Sequence, residues 1–302
     1  MYIDTHIHVS LNGKNSAVWR KQLSLTPYES ILSVLKEYRS KNILLLRDGG
    51  DPLGISLKAR EIAQEVGIIY KTPGWAIYKK GHYGNFIGKP VTDIEDFKRE
   101  FKELLKVKPD HLKIILTGIV DFDRYGKVGA TGFSFEEMKV MVECAKEKGL
   151  SVMVHANTSK AVALAIKAGV DTVEHGYFIG EEELHSMAEN DVIWVPTLAP
   201  LGNLVDTDDP KFHSQRENIK RIYEEHIANI KKAIKIGVKI AIGSDAGSYG
   251  VYHCEGFFNE VRHMTKAGMS KDDVYKMAFE NGIKALGIKA EELIRITAEF
   301  RP

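Results

Sequence analysis

Short apolar runs alternate along the chain with longer stretches in which apolar side chains recur every three or four positions. Residues 2–9 open the pattern with strict alternation: Ile3 and Ile7 point one way, and Asp4, His6 and His8 the other. In residues 42–48 the core Ile43, Leu44, Leu45 and Leu46 is apolar without a break, as in a strand covered on both faces. Comparable strand patterns fall at 68–75, 112–117, 151–155, 170–175, 192–195 and 238–243. Helical spacing fills the intervals at about 27–39, 52–66, 93–107, 134–148, 159–167, 181–189 and 211–236, with further helices at 255–266 and 271–286. Ser134 and Glu137 form a capping-box pattern, and Gly149 and Gly169 supply helix stops. Residues 10–26 read as a polar loop, and 76–90 as an aromatic, glycine-rich loop.

Eight strands alternating with helices predict a (β/α)8 TIM barrel with an additional C-terminal helix. A doubly wound open sheet is the alternative, and the lack of Gly-x-Gly-x-x-Gly after the first strand weighs against it. No low-complexity or proline-rich linker interrupts the 302 residues, so one domain spanning 1–302 is expected. Barrels of this class reach about 250 residues as a single unit.

Composition narrows the function classes. A net charge of +1 gives no basic surface for nucleic acid or for an anionic membrane. The cysteines are Cys144 and Cys254, too few and too distant for a disulfide framework, which favours a reducing compartment. The N-terminus has no basic segment followed by an apolar run, and no stretch nears the ~18 apolar residues of a membrane span. A cytoplasmic protein acting on a small molecule is expected, with homo-oligomerisation left open.

The chemistry lies at the strand ends, where such a barrel builds its site. His6 and His8 close the first strand, His155 the fifth and His175 the sixth, and Asp245 follows the eighth. Lys113 stands inside the otherwise apolar fourth strand. Each has a dull alternative: a strand-terminal histidine caps a carbonyl, an aspartate starts a turn, and a buried lysine pairs with a carboxylate. Convergence of four histidines and an aspartate on one rim points instead to divalent-metal ligation.

With these motifs the chain resembles the amidohydrolase superfamily, and within it the prolidase-like dipeptidases and imidazolonepropionase-like enzymes. The resemblance is densest in residues 112–118, 134–198 and 243–247. It includes His155-Ala, Val173-Glu-His175-Gly, Val195-Pro-Thr, and Arg47-Asp-Gly-Gly after the second strand. It implies two divalent metal ions, zinc foremost, with manganese, cobalt or nickel as substitutes. His6, His8 and Asp245 would hold one ion and His155 and His175 the other. Lys113, carboxylated by CO2, would bridge them, since burial beside cations lowers the amine's pKa and frees it to react.

The implied reaction is hydrolysis of a C–N bond in a dipeptide, an N-acyl amino acid or a cyclic amide. A hydroxide shared by the metals attacks the carbonyl, and Asp245 shuttles the proton. A lactonase or esterase using the same centre is the alternative, and a non-catalytic metal-binding barrel a third. Deaminase chemistry is disfavoured, because no Glu follows His155 closely. Substrate contacts are expected from His82 and His253, at loop positions where relatives often carry histidine, and from Asn157, where dipeptidase relatives usually have Tyr. The flanking β-sandwich of such relatives is expected to be lacking.

Overall fold

The computed structural model describes residues 1–207 and 209–299; the expected domain limit at residue 302 falls outside them. The chain opens with β1 (Tyr2–Ile7), α1 (Ser16–Leu25) and α2 (Pro27–Ser40). Next come β2 (Ile43–Asp48), α3 (Ile55–Glu65), β3 (Ile69–Lys71), β4 (Ala76–Lys79), β5 (Gly88–Val91) and α4 (Ile94–Lys106). Then follow β6 (His111–Ile115), α5 (Phe135–Glu147), β7 (Ser151–Thr158), α6 (Ser159–Ala168), β8 (Thr172–Phe178), α7 (Glu181–Glu189) and β9 (Ile193–Val195). The remainder is helical: α8 (Ala199–Asp206), a 3-10 turn (Pro210–Gln215), α9 (Arg216–Ile236), α10 (Glu255–Thr265), α11 (Lys271–Ala285) and α12 (Ala290–Glu299).

The strands form two parallel sheets, ordered β1-β2-β3 and β5-β4-β6-β7-β8-β9. The 238–246 segment joins their outer ends. Trp194 N donates to Lys239 O at 2.8 Å, Thr5 N to Ile242 O at 2.9 Å, and Asp245 N to His6 O at 2.8 Å. It thus serves as the eighth stave of a (β/α)8 barrel through isolated bridges, Trp194 to Ile240 and Ile7 to Ala246, rather than a continuous ladder. Asp4 anchors this closure: its carboxylate accepts from Ser244 N at 2.9 Å and Ser244 Oγ at 2.6 Å.

The third stave is split. β3 pairs with β2, whereas β4 pairs with β5 and β6, so the region expected to be a loop at 76–90 holds two short strands. The expected loop at 10–26 also contains a helix, α1, capped by Asn15 accepting from Val18 N. Its apolar pattern is weak because Val18 and Leu25 face outward and Leu23 alone is buried. The long helix expected at 211–236 begins as the 3-10 turn, and α8 precedes it.

One core cluster runs from Ile3 to Leu286, and Leu44, Leu45 and Leu46 are buried on both faces as their unbroken run requires. The capping box of Ser134 and Glu137 forms, and Gly169 closes α6 at φ 89°. Among the described residues no helix is long and apolar enough to cross a membrane.

Candidate active site

The strand ends converge. His6 Nε2 and His8 Nε2 lie 3.2 Å apart, and Asp245 Oδ1 lies 3.6 Å from the first and 3.3 Å from the second. On the other side, the His6 and His175 rings are 5.0 Å apart and the His175 and His155 rings 4.5 Å. Lys113 completes the floor of the same cavity of about 560 Å³.

Hydrogen bonding engages one nitrogen of His6, His155 and His175, while His8 Nδ1 has no partner among the described residues. His6 Nδ1 donates to Glu174 Oε2 at 2.7 Å; a carboxylate only accepts, so Nε2 keeps its lone pair. His155 Nε2 is engaged by Gly118 O at 3.3 Å and by Asn157 Nδ2 at 3.0 Å, which leaves Nδ1 as its unengaged nitrogen. His175 Nδ1 bonds Thr197 Oγ1 at 2.7 Å, leaving Nε2. Burial and neighbouring Lys113 push His155 down to about 3. His6 and His175 are held well below the ordinary histidine value, chiefly by burial, so these rings are neutral.

His175, Thr197 and Asp245 all adopt left-handed backbone, at φ 67°, 49° and 55°. Side chains there cost strain of about 1–3 kcal/mol each and are typical of functional sites. Gly49 clears the space behind His8, since a Cβ there would collide with its ring.

Lys113 is 1% exposed, and its Nζ has no hydrogen-bond partner among the described residues. Burial lowers it from the ordinary lysine value to about 8. The carboxylate that could have paired with it, Glu174, is taken by Arg47 at 2.9 Å. Arg47 also donates to Thr5 O at 2.7 Å and to Thr172 Oγ1 at 3.1 Å, linking the first, second and sixth staves.

The three expected substrate contacts are placed differently from one another. Asn157 lines the cavity, and its Nδ2 donates to Gly118 O at 3.3 Å. His82 is exposed beside Lys80 O and lies off the cavity, and its neighbour Tyr83 takes the lining position. His253 is buried away from the cavity, with both nitrogens engaged by Tyr38 Oη at 3.1 Å and Leu11 O at 2.8 Å.

Glu174, Arg47, Thr197 and Tyr83 are site residues to which the sequence reading gave no role. For Glu174 and Arg47 a signal existed: a lone charge in an apolar strand must find a partner, the same reasoning that singled out Lys113.

A parallel barrel with histidines and an aspartate gathered at its strand ends, three of them spaced as a candidate metal site, is the setting of a hydrolase fold. The chain belongs to the amidohydrolase family, whose sequence profile matches residues 2–293. It is 25% identical over 236 residues to ochratoxinase from Aspergillus niger, covering 78% of this chain but 47% of that one. The chain thus spans about half the length of that curated relative. An uncharacterized protein of Mycobacterium tuberculosis is 23% identical over 287 residues, covering 94% of this chain and 73% of that one. Among solved structures, a Xaa-Pro dipeptidase with bound methionine in its active site superposes with a TM-score of 0.74. It is 24% identical and covers 95% of this chain and 75% of that one, a likeness of fold.

Proposed function

We propose that this chain hydrolyses a C–N amide bond, in a dipeptide, an N-acyl amino acid or a cyclic amide, with the help of two divalent cations. The observation that carries the reading is the spacing of His6 Nε2, His8 Nε2 and Asp245 Oδ1. Bonds of ~2.0–2.1 Å at tetrahedral angles place neighbouring ligand atoms ~3.3–3.4 Å apart. The observed separations are 3.2, 3.3 and 3.6 Å. Without a cation, His6 Nε2 and the Asp245 carboxylate would have only His8 Nε2, at 3.2 and 3.3 Å, as a shared donor among these three groups.

His155 Nδ1 and His175 Nε2 would hold a second ion. Lys113 would serve both as a carbamate: its neutral amine would add to CO2, forming an N–C bond as one C=O π bond opens and releasing one proton. That gives a buried nitrogen without a partner among the described residues a charge-balancing purpose. When bound, the cations supply Lewis-acid polarisation of the scissile carbonyl and acidify the attacking water. Asp245 would accept a proton from the attacking water and deliver it to the leaving nitrogen. Asn157, and Tyr83 above the His155 ring at 5.8 Å, border the space for the acyl group. The ochratoxinase and dipeptidase likenesses support hydrolytic amide cleavage. Zinc suits the histidine and carboxylate set.

Metal analysis of the native protein and of Lys113→Ala, with a panel of dipeptides, N-acyl amino acids, cyclic amides and lactones, tests the reading. About two ions per chain, fewer in the variant, and turnover of amides are expected. Fewer than two ions, unchanged by the substitution, would overturn the binuclear centre; cleavage of lactones alone would overturn the amide assignment.

A further inference from the structure

α1 carries into the cavity a charge for which the proposed metal ligands have no use. Arg20 is half-buried and lines the same cavity as His6 and His175. Its Nε donates to Ser10 O at 3.3 Å, and Nη2 donates to Phe86 O and lies 3.5 Å from Ser10 Oγ. All these partners are neutral. Among the described residues Nη1 makes no hydrogen bond, and no carboxylate lies within ion-pair distance of the guanidinium. The acid that bears on it, Asp51, is buried and accepts from Leu53 N, Ile55 N and Ser56 N at the start of α3.

The surroundings sharpen the mismatch. The cavity's other charged lining residues, Lys113 and Asp245, lie at the floor among the histidines, while Leu11, Ile87, Val120, Leu204 and Phe212 make the wall apolar. A partly desolvated guanidinium against an apolar wall is costly unless an anion joins it. Its planar fork suits a carboxylate, which accepts two parallel N–H bonds.

We infer that Arg20 is the receptor for a substrate carboxylate and so a specificity-determining residue. The bound molecule is an acylated amino acid with an apolar body, its free carboxylate facing α1 and its amide facing the histidines. The placement of the amide rests on the proposed hydrolytic reading; the carboxylate contact is a binding property that can be measured without turnover.

Two arms keep these apart. Calorimetric titration of the metal-loaded protein with phenylpropionate and with neutral phenylpropanol should show a preference for the acid. Arg20→Gln should abolish that preference and Arg20→Lys recover part of it. Steady-state kinetics on N-acetyl-L-phenylalanine and its methyl ester should show KM for the free acid rising about tenfold to a hundredfold in Arg20→Gln. There kcat should stay within a few-fold, and the ester's parameters should stay unchanged. If acid and ester deteriorate together, Arg20 is only a tie between the Ser10 and Phe86 loops and the inference falls. It falls equally if Arg20→Gln binds phenylpropionate as the native protein does, or if neither probe binds. Absence of hydrolysis with both acetyl compounds would count against the hydrolytic reading, while the binding arm still decides Arg20.

Discussion

His6 donates its Nδ1 proton to Glu174 across 2.7 Å, a contact between neighbours separated by 168 positions in sequence. The other oxygen of Glu174 meets Arg47 at 2.9 Å, so one carboxylate orients a ring and neutralises a buried cation. Glu174→Gln should weaken metal affinity about tenfold to a hundredfold by loosening the His6 tautomer. Glu174→Ala should in addition destabilise the fold by about 3–5 kcal/mol, because Arg47 is left buried and unpaired. Competitive chelator titration and urea unfolding would measure the two effects; native metal affinity in Glu174→Gln would refute the orienting role.

Gly49 leaves room for the His8 ring. A Cβ at this position would run into His8 Cε1 and lie 2.8 Å from Nδ1. Gly49→Ala should therefore turn the ring, lowering zinc affinity and costing about 1–3 kcal/mol of stability through overpacking. An isotherm identical to that of the native protein would show that the ring accommodates the methyl group.

In the proposed reaction Asp245 would combine ligation with proton transfer. Asp245→Asn keeps an oxygen for the cation but removes the base, so turnover should fall about a hundredfold to ten-thousandfold. Metal content should change far less. Rates compared at matched metal occupancy decide the point: parallel loss of both would reduce Asp245 to a ligand.

Glu260 gives a pH signature remote from the cavity. Its Oε2 accepts from Ala199 N at 2.6 Å, its Oε1 has no partner among the described residues, and burial pushes the carboxyl up to about 8. The folded chain then keeps a proton that the unfolded chain releases from its ordinary value of 4.5 upward. Stability contributed by this group is present at low pH and is lost as pH rises toward 8, by up to about 1.4 kcal/mol per pH unit. Glu260→Gln should flatten the fall in urea midpoint between about pH 5 and pH 8. Parallel curves for the two proteins would mean that Glu260 is ionised throughout.

What the sequence disclosed follows from how strongly each element is patterned. Ile43 to Leu46 could only be a covered strand, and Ser134 with Glu137 announced a helix start that the structure reproduces. The converging His6, His8, His155, His175 and Asp245 were legible because they close periodic strands. α1 escaped notice because its contacts are made by Trp19 Nε1 to Val9 O and by Arg20, polar groups that leave no apolar stripe. The split third stave was hidden because β3 and β4 have three and four residues, too short for periodicity to register. His82 and Tyr83 show the same limit at finer scale: which of two adjacent loop residues enters a cavity depends on backbone direction, not on residue type.

The join between Ile7 and Ala246 has a thermodynamic corollary. An ion gripped by His6, His8 and Asp245 would buckle together two parts of the chain 237 residues apart. The site exists only when those parts are held together, so the ion would bind the folded chain and not the unfolded one. Loading would then raise the melting temperature in proportion to the logarithm of free ion concentration, making the barrel's durability a gauge of metal supply.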